Sequence, residues 1–179
     1  MQGLNDILNL DKNAKTRFVK KGEMLLREGD ESSLAFYIEK GLLRSYTIDE
    51  KGKEHIFSFA SEGWIIADID SQEFNHPAEL FIDCIEDSEI VVFDRKCFKL
   101  ADLSEQQLRE NANLLARRIA VLQKRVIMLM SVSAQERYST FLKSFPKLVN
   151  RVPQRMIASY LGITPEALSK IRGQIAKGK

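Results

Sequence analysis

Residues 151–172, RVPQRMIASYLGITPEALSKIR, decide how the rest of the chain is read. With Gln154 as position one, Ala158 is the fifth residue and Gly162 the ninth. Ile157, Leu161, Ile163, Leu168 and Ile171 fall at the fourth, eighth, tenth, fifteenth and eighteenth positions. Two helices that cross steeply over a three- or four-residue turn leave no room for bulk where they touch, and Ala158 sits there. The turn asks for left-handed backbone, which Gly162 adopts without a Cβ clash. The five apolar positions make a small core. Thr164-Pro165-Glu166 is a helix start: a capping hydroxyl, a proline at the first helical position and an acid that complements the helix dipole. These features agree on a helix-turn-helix rather than an ordinary αα-hairpin.

In that geometry the second helix enters the major groove and its N-terminal part reads base edges. The outward residues are Pro165, Glu166, Ser169 and Lys170. A carboxylate accepts from the cytosine amino group, a lysine donates to guanine O6 and N7, and a serine contacts a base or a phosphate. Thr164 belongs to the same surface. Gln154 and Arg155, at the start of the first helix, lie where side chains meet phosphate. Arg172, Lys177 and Lys179 add sequence-independent attraction. From Asn150 onward six cations face one acid, a charge of +5, which leaves −3 for the preceding 149 residues. That asymmetry points to a polyanion, double-stranded DNA, as the partner.

Upstream, Leu108, Ala112, Leu115, Ile119, Leu122, Val126 and Leu129 alternate in steps of four and three, an unbroken heptad seam. Ser104 can cap this helix. A seam so long and narrow needs a partner, and a second copy of the chain fits better than the chain's own β structure. Leu108, Leu115, Ile119, Leu122, Val126 and Leu129 are the expected dimerisation residues. A further amphipathic segment, SAQERYSTFLKSFPKLV, is helical up to Phe145.

Residues up to about 94 look β-rich: MLLREGDE, LAFYIEKG, LLRSYTIDEKGKE, HIFSFASEG and ELFIDCIEDSEIVVFD are short runs separated by turn residues. Such spacing suits a roll or sandwich of antiparallel strands, with DEKG as a hairpin turn closed by Gly52. RKCFKLADL, from Arg95, suggests a short helix.

Composition narrows the function. Two cysteines, Cys84 and Cys97, are too few for a disulfide framework or a four-thiolate centre and read as small buried residues. His55 and His76 are the only histidines, a poor stock for metal catalysis, so no catalytic residue, metal or cofactor is expected. No apolar run is long enough to cross a bilayer and the start lacks a signal-peptide layout, so the chain reads as cytoplasmic, without a membrane partner. Trp64, Phe57, Phe59 and Phe81 could line a pocket or be plain core.

The order of β roll, heptad helix, shorter helix and helix-turn-helix resembles the CRP/FNR family of bacterial transcription regulators along nearly the whole chain. KKGEMLLREGD and FYIEKGLLRSY look like its early roll strands, with Gly29 and Gly41 at turns. RVPQRMIASYLGITPEALSKIR is similar to the DNA-binding motif of Bacteroidetes members. The family reads DNA through Glu-x-x-Ser-Arg; here Glu166, Ser169 and Lys170 stand, and lysine loses the bidentate fork. The resemblance implies an α+β chain: an antiparallel, jelly-roll, cyclic-nucleotide-binding-like sensor domain (1–103), a dimerisation helix (104–132) and a DNA-binding domain (133–179) with little or no wing.

It also implies a test of the roll. Members that bind cyclic AMP carry a Gly-Glu pair that holds the ribose and an Arg-Ser pair that takes the phosphate. Register puts Ala67 and Asp68 at the first pair, and Ala78 and Glu79 at the second. Glu79 would repel an anion, and no lysine or arginine lies between Lys53 and Arg95. The effector pocket is therefore read as degenerate, without cyclic AMP or cyclic GMP. The oxygen-sensing branch needs four cysteines; for a haem branch His76 is the one candidate ligand. The expected function is a homodimeric regulator on near-palindromic DNA, not an enzyme, with RNA polymerase as a further candidate partner and an unknown small-molecule effector or none. The alternatives are a small-molecule-binding or cupin-type β-roll enzyme with structural C-terminal helices, or a pure interaction module.

Overall fold

The computed structural model describes residues 14–94 and 104–177. Cys97, the segment RKCFKLADL up to Leu103, and Lys179 lie outside them. The chain forms two compact units, residues 1–113 and 114–179.

The first unit is a two-sheet roll. Its strands are β1 (Lys15–Val19), β2 (Met24–Leu26), β3 (Leu34–Lys40), β4 (Leu42–Ile48), β5 (Glu54–Ser61), β6 (Ile65–Ile66), β7 (Phe81–Cys84) and β8 (Ser88–Asp94). One sheet runs β1-β8-β3-β6 and the other β2-β7-β4-β5, with antiparallel pairing throughout. β4 and β5 form the expected hairpin. Gly52, at φ 76°, donates to the Asp49 carbonyl, and the Asp49 carboxylate accepts from the amides of Lys51 and Lys53. Strand alternation sends Phe36, Ile38, Leu43, Ile82 and Ile90 into a shared core. Gly41 is a steric necessity: a Cβ there would lie 2.2 Å from Ser88 Oγ.

The β-rich reading of the first 94 residues misses one element. Ile69–Phe74 is a short helix, α1, between β6 and β7. It begins at Asp68, whose carboxylate accepts from Ser71 N, and ends at Asn75 in the left-handed region, φ 55°. Cys84 belongs to the core, and burial pushes its thiol up to about 12. It is the inert residue the sequence suggested. Trp64 and Phe57 lie outside the core, partly exposed at the surface. Phe81 stacks on Tyr46, with centroids 5.3 Å apart. His55 contacts Asp49 beside the hairpin turn.

The roll also buries an ion pair. Arg44 on β4 donates to both Asp83 oxygens, at 2.7 and 2.8 Å, and also to Glu54. Burial opposes its charge, but the hydrogen bonds to Asp83 and Glu54 outweigh burial and hold it protonated.

The long helix α2 spans Glu105–Ser131. Ser104 caps it as expected: its hydroxyl accepts from Gln107 N while Gln107 Oε1 accepts from Ser104 N. α3 (Ala134–Ser144) follows after two residues, started by a second capping box between Ser133 and Glu136. α4 (Gln154–Tyr160) and α5 (Pro165–Lys177) complete the head. Among the described residues no strand follows β8. No described helix is long and apolar enough to cross a membrane.

Candidate nucleic-acid interface

The α4–α5 pair is built as its sequence dictates. Ala158 is fully buried where the helices meet, with Ile157, Leu161 and Leu168 beside it. At the turn, Gly162 N donates to Ser159 O and Ile163 N to Ala158 O, both at 3.0 Å. With Gly162 at φ 64° this is a Schellman closure, in which the left-handed residue lets two orphan carbonyls be satisfied. Thr164 then caps α5, its hydroxyl accepting from Ala167 N at 3.2 Å. Pro165 is the first residue of the helix. Phe141 of α3 supports the pair from below, its ring 5.7 Å from that of Tyr160.

A helix turns about 100° per residue. Leu168 and Ile171 face the head's core, so the opposite face carries Pro165, Glu166, Ser169 and Lys170. All four are exposed, as are Thr164, Gln154 and Arg155; Arg172 is half-buried at the edge of the face. Glu166 is bonded first to its own backbone N–H and then to the Thr164 hydroxyl, which holds its carboxyl below the usual range. It therefore presents acceptors only at neutral pH.

Sequence reasoning passed over one residue of this face. Gly173 lies midway between Ser169 and Lys177 on the exposed arc, and a Cβ there would meet nothing within 4 Å. A glycine inside a helix costs about 1 kcal/mol relative to alanine, and no packing contact within the chain requires it here. The signal was available, a glycine within an amphipathic run.

The heptad residues stand open to solvent in the single chain. Ile119 is 65% exposed and Val126 54%. Leu108, Leu115 and Leu122 are exposed as well, and Leu129 is half-buried.

The cassette at the end of the roll is arranged differently. Asp68, assigned by register to a ligand-holding position, is 3% exposed. Its Oδ1 accepts from Ser71 N at 3.2 Å, and its Oδ2 from Glu79 N at 2.9 Å and Leu80 N at 3.0 Å. Three backbone amides thus converge on the chain's own carboxylate. Ala78 is buried against the core, Ala67 is half-buried, and the Glu79 side chain points to solvent. Nearby, Asp70, His76 and Glu79 bring ligating atoms within 4.8 Å of one another. His76 Nδ1 meets the Pro77 carbonyl at 2.8 Å and Nε2 meets Asp70 at 2.9 Å. Those two contacts, Pro77 first, raise its pKa. The group lies at the surface, with His76 hydrogen-bonded to Asp70.

Comparison with known proteins agrees with this architecture. The cyclic nucleotide-binding domain family matches residues 16–101. The anaerobic regulatory protein of Haemophilus influenzae is 26% identical over 175 residues, covering 89% of this chain and 66% of that protein. The fumarate and nitrate reduction regulatory protein of Escherichia coli K12 is 28% identical over 178 residues, covering 89% and 68%. The chain spans about two thirds of the length of these curated relatives. Among solved structures, FixK2 from Bradyrhizobium japonicum superposes with a TM-score of 0.78 at 22% identity, over 92% of this chain and 85% of that one. A CRP/FNR-family transcriptional regulator from Thermus thermophilus gives 0.73 at 17% identity, over 92% and 87%. Along most of its length the chain is thus similar to CRP/FNR-type transcription regulators and shares their fold.

Proposed function

We propose that this chain is a homodimeric, cytoplasmic transcription regulator, not an enzyme. It binds near-palindromic double-stranded DNA through α5 and does so without cyclic AMP. The observation that carries the reading is the exposed arc of α5: Glu166, Ser169 and Lys170 project into solvent from a fully packed helix-turn-helix. Glu166 accepts from a cytosine amino group and Lys170 donates to guanine, while Gln154 and Arg155 hold the phosphates. Thr164, Pro165 and Arg172 complete the surface. The assignment of residues 1–103, 104–132 and 133–179 to sensor, dimerisation and DNA-binding roles belongs to this proposal, as does a reduced wing.

The exposed seam supports the dimer. Six exposed heptad positions left in water would be unfavourable, and a second copy of α2 covers them symmetrically. Two heads then meet half-sites about 34 Å apart, one helical turn of DNA. Independence from cyclic nucleotides is supported by Asp68. A buried carboxylate already accepts the amides of Glu79 and Leu80, and it would repel a cyclic phosphate brought to the same place. An effector of different chemistry, or none, and contact with RNA polymerase complete the proposal.

The test is selection of bound sequences from random DNA, followed by binding of the selected site to the double variant E166A/K170A. A palindromic product whose preference disappears in the variant supports the reading. Unchanged sequence preference in the variant contradicts it.

A further inference from the structure

Two arginines that a charge count would assign to DNA attraction point inward. Arg137, on α3, reaches three carbonyls on three different segments. Its Nη2 donates to Leu129 O at 2.9 Å, near the end of α2. Its Nε donates to Val132 O at 3.0 Å, in the link between α2 and α3. Its Nη1 donates to Leu161 O at 3.1 Å, where α4 ends. Arg125, on α2, lies over the Tyr160 ring, 4.3 Å from its centroid, and donates to Tyr160 O at 3.4 Å. It is half-buried against Tyr160, and that burial lowers its pKa.

These carbonyls are the ones a helix leaves without internal partners, and they carry the negative end of its dipole. A planar guanidinium with five donors in a fixed fork can hold several at once; an ammonium cannot hold three in fixed directions. Gly162 keeps the place clear. A Cβ there would lie 3.3 Å from Leu129 Cδ2 and 3.5 Å from Arg137 Nη1. The glycine thus permits the left-handed turn and the close approach of Leu129, beside which Arg137 Nη1 lies.

We propose that Arg137, assisted by Arg125, is a positioning residue that fixes the angle between the long helix and the helix-turn-helix, and thereby sets the half-site spacing the dimer accepts. The proposal rests on the dimeric DNA-binding reading above. In a dimer, the distance and rotation between two reading helices follow from the angle at which each head leaves its α2. A rigid angle rewards one spacing and penalises others. A loosened head still folds around its own core and still reads bases, but it tolerates wrong spacings and gains less from binding both half-sites together.

The experiment uses the full chain and the DNA site selected by the wild-type protein, with a second site carrying two extra base pairs between the half-sites. Affinity for each is measured by fluorescence anisotropy, with dimerisation followed by sedimentation and folding by circular dichroism. The wild type is expected to bind the lengthened site at least about tenfold more weakly. R137Q, folded and dimeric, is expected to bring that ratio below about threefold, mainly by weakening binding to the matched site. R137K keeps the charge but not the fork, and is expected to lose discrimination as well. A wild-type ratio in folded R137Q overturns the proposal. If R137Q does not fold, R137K decides, and a wild-type ratio there overturns it, because charge alone would then suffice. A wild-type chain indifferent to the spacer overturns the dimeric reading itself, and the strut falls with it.

Discussion

The cassette of the roll and the reading helix of the head use their polar groups in opposite directions. At the cassette, Asp68 turns inward and takes the amides of Ser71, Glu79 and Leu80. At the head, Glu166, Ser169 and Lys170 turn outward from a core that needs none of them. The first site is closed by its own carboxylate; the second is open and waiting for a partner. On the proposed reading, the helix-turn-helix is the surface left free to bind, and the roll serves as a scaffold whose Ser71, Glu79 and Leu80 amides are already engaged by Asp68.

The sharpest way to break this comparison is at the open site. E166A/K170A is expected to lose at least about 100-fold in affinity for the selected site, since each good base contact contributes roughly 1–3 kcal/mol and two heads are affected. Binding to random DNA should change little, and anisotropy titrations on both DNAs check it. At the closed site, D68A should cost about 2–4 kcal/mol of stability, because it strands three backbone donors and removes a helix cap. Urea unfolding followed by circular dichroism measures this. A fall of less than about 0.5 kcal/mol would show that the carboxylate is not holding the cassette shut.

A subtler contrast comes from Gly173. G173A should stabilise the chain by up to about 1 kcal/mol while weakening DNA binding, because a helix former is gained where a bare surface is needed. Gain in both properties would remove Gly173 from the interface. The smallest expected effect is at His76. Its hydrogen bond to the Pro77 carbonyl and its contact with Asp70 raise its folded pKa above the unfolded value of about 6.5. The stabilisation is therefore complete below that value and is lost as pH rises through the folded pKa. Unfolding midpoints from pH 6 to 9 should show a small decline in the wild type that is absent in H76Q.

The head was legible in the sequence because its requirements are local. Ala158, Gly162 and the Thr164 cap each answer a demand set by residues within one turn, and spacing alone identifies them. The strands of the roll were legible for the same reason, through alternation and turn glycines. The cassette was not. Register placed Asp68 at a ligand position, but its role depends on the amides of residues 79 and 80, which only the folded chain brings to it. The helix Ile69–Phe74 is too short to show a helical period, and β1 has a single buried residue, Val19, to mark a face. Arg125 and Arg137 were hidden by the same kind of distance, since capping another helix's carbonyls is a tertiary event with no local trace. The heptad seam was legible as a pattern, and its exposure in the single chain is the physical motive for the proposed dimer.

One measurement bears most directly on the contrast between the head and the roll. The wild-type chain is titrated against its selected DNA site with and without millimolar cyclic AMP. Full-strength, sequence-specific binding in the absence of nucleotide, unchanged by its addition, is the result the account predicts. Binding that appears or strengthens only when cyclic AMP is present would contradict it.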